Sequence, residues 1–164
     1  MSSDGNGVKI RVLGSLRLPA SRLTINQQRA EELKIYGEWH RSPGASDDAL
    51  AALRAVAPHV LPDEYYQLLT FSNGGEGPLP VGPFNFVLDS AEVTADPKQV
   101  LFYEQIAPDL FVFGSNGAGE LVAFDLRGNS PPWPIVCFDG IAPEESVERI
   151  ANSLTGFISL IGKA

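Results

Sequence analysis

The chain has 164 residues, 44% of them hydrophobic, a length that suits one domain with a modest extension and a core that needs no staples. A lone cysteine, Cys137, excludes an internal disulfide framework, and no apolar run approaches the ~18 residues of a membrane span or the core of a signal peptide. Residues 1–45 hold seven Lys/Arg and four Asp/Glu, a net charge of +3, whereas residues 46–164 hold five and sixteen, a net charge of −11. A body this acidic repels nucleic-acid phosphates and anionic membranes and attracts cationic partners. A protein that stays in the cytoplasm, with a protein partner and neither nucleic acid nor membrane, is the expectation.

The N-terminal stretch VKIRVLGSLRL (residues 8–18) alternates apolar and basic positions and predicts a strand or hairpin, and residues 27–36 predict a short helix. Pro43-Gly44 marks a turn. The composition shift there divides the chain into an N-terminal extension, 1–45, and a main domain, 46–164. Ser46 is a helix N-cap followed by Asp47 and Asp48, and Leu50, Leu53 and Val56 recur at helical spacing until Pro58. Pro62 then suits a helix start, Asp63 and Glu64 its positive end, and Tyr65, Leu68 and Leu69 one apolar face. Asn73-Gly74-Gly75 supplies the stop.

Strands follow. Phe84–Leu88, Leu110–Phe113, Leu121–Leu126 and Ile135–Phe138 are short apolar runs separated by turn residues. Ser90–Asp96 predicts one or two helical turns, capped by Ser90 and stopped by Pro97. Short turns between successive strands imply an antiparallel meander, because parallel neighbours need long crossovers. From Val147 to Ile161 the apolar residues step by three and four, which predicts one continuous closing helix, with Glu144 and Glu145 at its positive end. Helices, then strands, then a helix describe an α+β single domain: a central, mostly antiparallel sheet with helices packed around it.

Catalytic and cofactor chemistry finds little support. Gly114–Glu120 (GSNGAGE) has the glycines of a phosphate loop, but a strand pattern rather than a helix follows it, and Asn116-Gly117 is a hairpin-turn dipeptide. One cysteine and two distant histidines, His40 and His59, make no zinc site, and Asp139, Glu144, Glu145 and Glu148 lack calcium-loop spacing. Cys137, inside an apolar run, is expected to be a buried, inert thiol. No carboxylate pair or nucleophile–base set stands out among the twenty Asp/Glu. No catalytic, metal or cofactor residue is therefore predicted. Taken singly, each of the aromatic residues Tyr65, Tyr66, Phe84, Phe86, Phe102, Tyr103 and Trp133 is more readily a core residue, and the alternative is that some of them line a binding groove. Trp133, set among prolines, is expected to be the most accessible.

Three stretches carry a family resemblance. Leu61-Pro62 leads a helix with Tyr65 and Leu68-Leu69 that closes on Asn73-Gly74-Gly75. Phe113–Glu120 precedes Ala123-Phe124-Asp125. Ile135–Asp139 leads towards Ile150-Ala151-Asn152-Ser153-Leu154 and Phe157. In this order they resemble the SUKH superfamily, which includes fungal cell-wall-assembly regulators and bacterial immunity proteins, over roughly 46–161. Two positions depart from the family pattern: Asn116 stands where Asp is usual and Ala118 where Gly is usual. The resemblance implies a SUKH-like α+β fold and a non-enzymatic task. Bacterial members commonly bind a cognate toxin and block its active site, and many such toxins are nucleases with basic clefts. The function it implies is an immunity protein that occludes a basic toxin domain; the alternative is a general interaction module in a signalling or cell-envelope pathway. Acidic and aromatic positions near loops are the candidate contacts: Glu76, Asp89, Glu92, Glu104, Asn116, Glu120 and Trp133.

Overall fold

The computed structural model describes residues 35 and 37–164. The strand or hairpin expected over 8–18 lies outside them, as does the helix expected over 27–36 apart from Ile35. The elements that follow all lie within the compact unit Leu33–Ala164. In chain order these are β1 (His40–Arg41), α1 (Asp47–Val56), α2 (Asp63–Phe71), β2 (Gly75–Pro78), β3 (Asn85–Leu88), α3 (Ala91–Thr94), α4 (Pro97–Ile106), β4 (Leu110–Ser115), β5 (Glu120–Asp125), β6 (Ile135–Asp139), α5 (Pro143–Ser146), β7 (Glu148–Ala151) and α6 (Leu154–Ile158). All seven described strands form one sheet in sequential order, each antiparallel to its neighbour. The architecture is the expected α+β domain with an antiparallel meander.

Local chemistry sets the helix ends. The Ser46 hydroxyl accepts from the Ala49 amide at 3.1 Å and Ser90 from Val93 at 3.2 Å, each satisfying a donor that the first turn leaves free. The Ser90-capped turn α3 ends at Thr94, ahead of Pro97 as expected, and Pro97 also opens the next helix. Asp96 caps α4 by accepting from the Lys98 amide at 3.0 Å, and Pro97 takes the first helical position, where its missing N–H costs nothing. Gly74 and Gly75, at φ of 107° and 123°, carry the chain from α2 into β2 through backbone that side chains rarely adopt.

Both faces of the sheet are covered. On one, Leu110, Val112, Ala123, Val136 and Phe138 form a cluster closed by Tyr103 and Ile106 of α4 and by Val147. On the other, Tyr65 of α2 sets its ring edge-on to Phe111, Phe113 and Phe124 at centroid distances of 6.1, 5.7 and 5.6 Å. Phe157 of α6 meets Phe86 edge-on at 4.9 Å. Phe113, two residues on from Phe111, shares its face by strand alternation, and a bulge in β4 between Val112 and Gly114 brings Gly114 opposite Val122. A Cβ on Gly114 would lie 2.5 Å from the Phe86 ring, so only glycine lets that ring lie against β4.

The continuous closing helix over 147–161 is not what forms. Glu148–Ala151 becomes β7, pairing with β6, and α6 starts only at Leu154. Ser153 caps α6 by accepting from Gly156 at 3.1 Å, which breaks the apolar period into two elements. Glu144 and Glu145 accordingly sit on the separate short helix α5, not on the closing one. The edge of β6 offers ladder hydrogen bonds to residues that a periodicity alone assigns to a helix.

Residues 39–42 are fastened to the body through Ser72, which is fully buried. Its hydroxyl accepts from Trp39 Nε1 at 3.3 Å and from the Ser42 amide at 3.1 Å, and donates to the Gly74 carbonyl at 2.5 Å. The Trp39 indole lies on Gly75 and Gly77 of β2 and stacks on Phe86 at 6.1 Å. Ser72→Ala strands two donors and one acceptor, and should lower unfolding free energy by about 2–3 kcal/mol in urea titrations.

Candidate functional site

Sheet topology sorts the loops into two sets. The connections that carry α1 to α4, the β5–β6 loop and the chain after β7 all lie at one end of the strands. The β2–β3 loop (79–84), the β4–β5 hairpin (116–119) and the β6–β7 connection (140–147) lie at the other. The seven predicted contact residues are thereby separated. Glu76, Asn116 and Glu120 belong to the short-loop end, and Asp89, Glu92, Glu104 and Trp133 to the helix-bearing end.

At the short-loop end a hydrogen-bonded network joins three strands. Asn85 Nδ2 donates to Glu76 Oε1 at 3.0 Å and to the Asn116 carbonyl at 3.1 Å, and Asn116 Nδ2 donates to Glu120 Oε1 at 3.2 Å. Asn116 Oδ1 accepts from the Ala118 and Glu120 amides at 2.8 and 3.0 Å, so this side chain builds the hairpin turn. Aspartate at the same place would accept both amides but repel Glu120, which explains why asparagine suits this chain. Gly117 and Gly119, at φ of 79° and 104°, complete the turn. It is a hairpin with a strand behind it and offers no helix N-terminus to a phosphate.

Charge at this end is one-sided. Residues 76–88, 114–121 and 137–148 contain Glu76, Glu120, Asp139, Glu144, Glu145 and Glu148, and no Lys or Arg. Glu120 stands directly opposite Asp139 on the neighbouring strand, a like-charged pair that costs stability. Lys163 follows Gly162, whose amide donates to the Pro78 carbonyl at 2.9 Å, and brings one cation near the end of β2. Exposed apolar side chains stand in the same loops: Val81 at 42%, Phe84 at 68% and Ile141 at 94%. Phe84 has φ of 68°, left-handed backbone that costs a bulky residue about 1–2 kcal/mol.

The helix-bearing end differs. A pocket of about 440 Å³ opens between the end of α1, α3, α4 and β4, lined by Val56, Val100, Leu110 and Leu126 with Thr94, Tyr103, Glu104 and Asp109 as its polar groups. Behind Thr94 the Tyr65 hydroxyl is buried without a hydrogen bond of acceptable geometry, and burial pushes its phenol well above the ordinary range. Burial likewise raises Tyr103, with a further contribution from the charge of Asp89. Glu92 is exposed and accepts from Asn73 Nδ2 at 2.8 Å, a bond that lowers its carboxyl. Asn73 also accepts from the Ala91 amide at 2.7 Å, so the residue read as a helix stop ties α2 to α3 as well.

Trp133 is not the accessible aromatic that its prolines imply. It is 7% exposed, with Nε1 donating to the Val60 carbonyl at 3.0 Å across 73 residues of chain. Tyr65, Tyr66 and Phe86 are also buried, whereas Phe84 and Phe102 are exposed. Cys137 is buried, as expected, and its thiol is pushed up to about 11 by burial, with Glu120 and Glu148 adding to the effect. Among the described residues no group of three His, Cys, Asp or Glu is placed to hold a metal ion. No described helix is long and apolar enough to cross a membrane.

Asp89 yields a sign that can be measured. Burial raises its carboxyl above the ordinary carboxylate value, so the native chain binds the proton more tightly than the unfolded chain. Stability contributed by this group falls as pH rises from the ordinary value through the raised one, and the loss persists at neutral pH. Asp89→Asn should therefore be more stable than the parent at pH 7, with the difference shrinking on the acid side, as read by urea denaturation at both ends.

Comparison with known families gives a definite result. The model described as SMI1 / KNR4 family (SUKH-1) matches residues 44–160, an interval that runs from just before α1 to just past α6. Comparison with curated proteins gives no match. The matched interval covers well over half of the chain, and the protein belongs to the SMI1 / KNR4 family (SUKH-1).

Proposed function

We propose that this chain is a non-catalytic binding protein that neutralises a toxin domain by stoichiometric occlusion. The observation that carries the proposal is a family scaffold whose body is net −11. Bacterial members of the family commonly act as immunity proteins, and an acidic surface of this size is matched to a basic active-site cleft. Such a surface speeds encounter through long-range attraction and competes with an anionic substrate such as nucleic acid. The reading gives the chain no turnover and needs no cofactor. Its place of action is the cytoplasm, where the toxin's substrate would be protected.

Two measurements test this. Co-expression with a toxin domain encoded beside the chain should restore growth, and the purified pair should bind with an affinity that falls steeply between 50 and 500 mM salt. Absence of rescue against every adjacent toxin, or affinity indifferent to salt, overturns the proposal.

A further inference from the structure

Both ends of the sheet display apolar side chains, but in different electrostatic settings. Around the pocket, Val56, Val93, Leu101 and Phe102 are exposed, and the surrounding charges are mixed, with Arg54, Lys98 and Arg127 among the carboxylates. At the short-loop end, Val81, Phe84 and Ile141 are exposed among loops that carry carboxylates alone. The loops cap β2–β3, β4–β5 and β6–β7, so the outer two stand four strand spacings apart, roughly 19 Å at ~4.8 Å each. That is the width of a protein contact, not of a small ligand.

Three features of this end run against the stability of the free chain. Phe84 holds left-handed backbone while its ring faces solvent. Glu120 and Asp139 oppose each other across adjacent strands. Ile141 is 94% exposed, in a loop kept in shape by its own amide donating to Asp139 Oδ1 at 2.8 Å. A partner surface that is basic offsets the like-charge opposition, and one that also carries apolar recesses takes the solvated side chains out of water.

We infer that the row formed by the 79–84 loop, the 116–119 hairpin and the 140–147 connection is the contact surface for a basic protein, with Phe84 and Ile141 as its apolar anchors. This rests on the proposal that the chain acts by binding a protein, and it specifies which face binds and what chemistry the partner offers. The partner presents Lys and Arg to Glu76, Glu120, Asp139, Glu144 and Glu145, and two shallow apolar recesses to the anchors. Aromatic and large aliphatic side chains ringed by charge carry a disproportionate share of binding energy in such contacts. Phe102 and Leu101 on α4 are the competing apolar surface, and the same experiment separates the two.

The full chain, labelled with ¹⁵N, is titrated with three ten-residue peptides: alternating Lys and Leu, alternating Lys and Ser, and alternating Glu and Leu. The Lys/Leu peptide should shift the amides of Gly82, Phe84, Gly117, Gly119 and Ile141. The Lys/Ser peptide should act there more weakly, and the Glu/Leu peptide not at all. Phe84→Gly and Ile141→Ser should each weaken the Lys/Leu interaction about tenfold. Phe84→Gly should also hold or raise the melting temperature, by up to about 2–4 °C, because glycine relieves the left-handed backbone. A footprint centred on Leu101 and Phe102 or on the pocket overturns the inference, as does binding indifferent to both substitutions. A marked fall in melting temperature for Phe84→Gly overturns it too, since Phe84 would then serve the fold. In co-expression, rescue by the parent and equally by the Phe84→Gly/Ile141→Ser double variant overturns this surface while leaving the immunity reading intact. Failure of the parent itself overturns that reading, and the peptide footprint still decides the surface.

Discussion

The packing of aromatic rings against the middle of the sheet is the constraint on which the rest of the molecule depends. Tyr65 stands edge-on to three phenylalanines from β4 and β5, and Phe86 and Phe157 extend the layer to β3 and α6. Edge-to-face contacts of this kind add to area burial and fix orientation as well as depth. The layer fits because Phe111 and Phe113 share one face of β4 and because Gly114 leaves room for the Phe86 ring. Once α2 and α6 are committed to this face, α4 is left to cover the other, where it buries none of its residues fully and leaves a pocket beside β4.

An antiparallel meander has a second consequence. Alternate connections must fall at opposite ends of the strands, so five of the helices crowd one end and the other keeps short connections with only the four-residue α5. The short-loop end packs only through Leu79 and Val147, and its remaining loop residues answer chiefly to surface chemistry. That is where like charges face each other, an aromatic residue occupies left-handed backbone, and no basic residue interrupts the loops. At the helix-bearing end, the half-buried Asp89 and the unbonded Tyr65 hydroxyl carry costs of a different kind, set by burial.

Much of the fold was legible because its signals are local. Ser46 and Ser90 announce helix starts through a side-chain oxygen that reaches an amide three residues on, and Asn116-Gly117 announces a hairpin through backbone preference. The Asp96-Pro97 pair carries an equally local signal for α4, an N-cap followed by a proline at the first helical position, but a proline read as a stop conceals it. Residues 148–151 give no local warning of β7. Their apolar spacing fits a helix, and the free edge of β6 overrides it. Trp133 shows the same limit from the other side: prolines around it look like a solvent loop, yet a carbonyl 73 residues away takes its N–H.

The candidate site divides along the same line. Glu76 is joined to the distant Asn116–Glu120 pair through Asn85, which no spacing singles out. By itself the sequence determined the antiparallel α+β plan, the family scaffold and the acidic body, because turn chemistry, apolar runs and composition are properties of neighbouring residues or of sums. Only the tertiary structure decided which carboxylates share a surface, that Trp133 is interior, that β7 extends the sheet, and that Phe84 and Ile141 stand out at one end. Those outcomes depend on which strand edges find each other and which side chains fill the space between layers, and such pairings are made across the chain rather than along it.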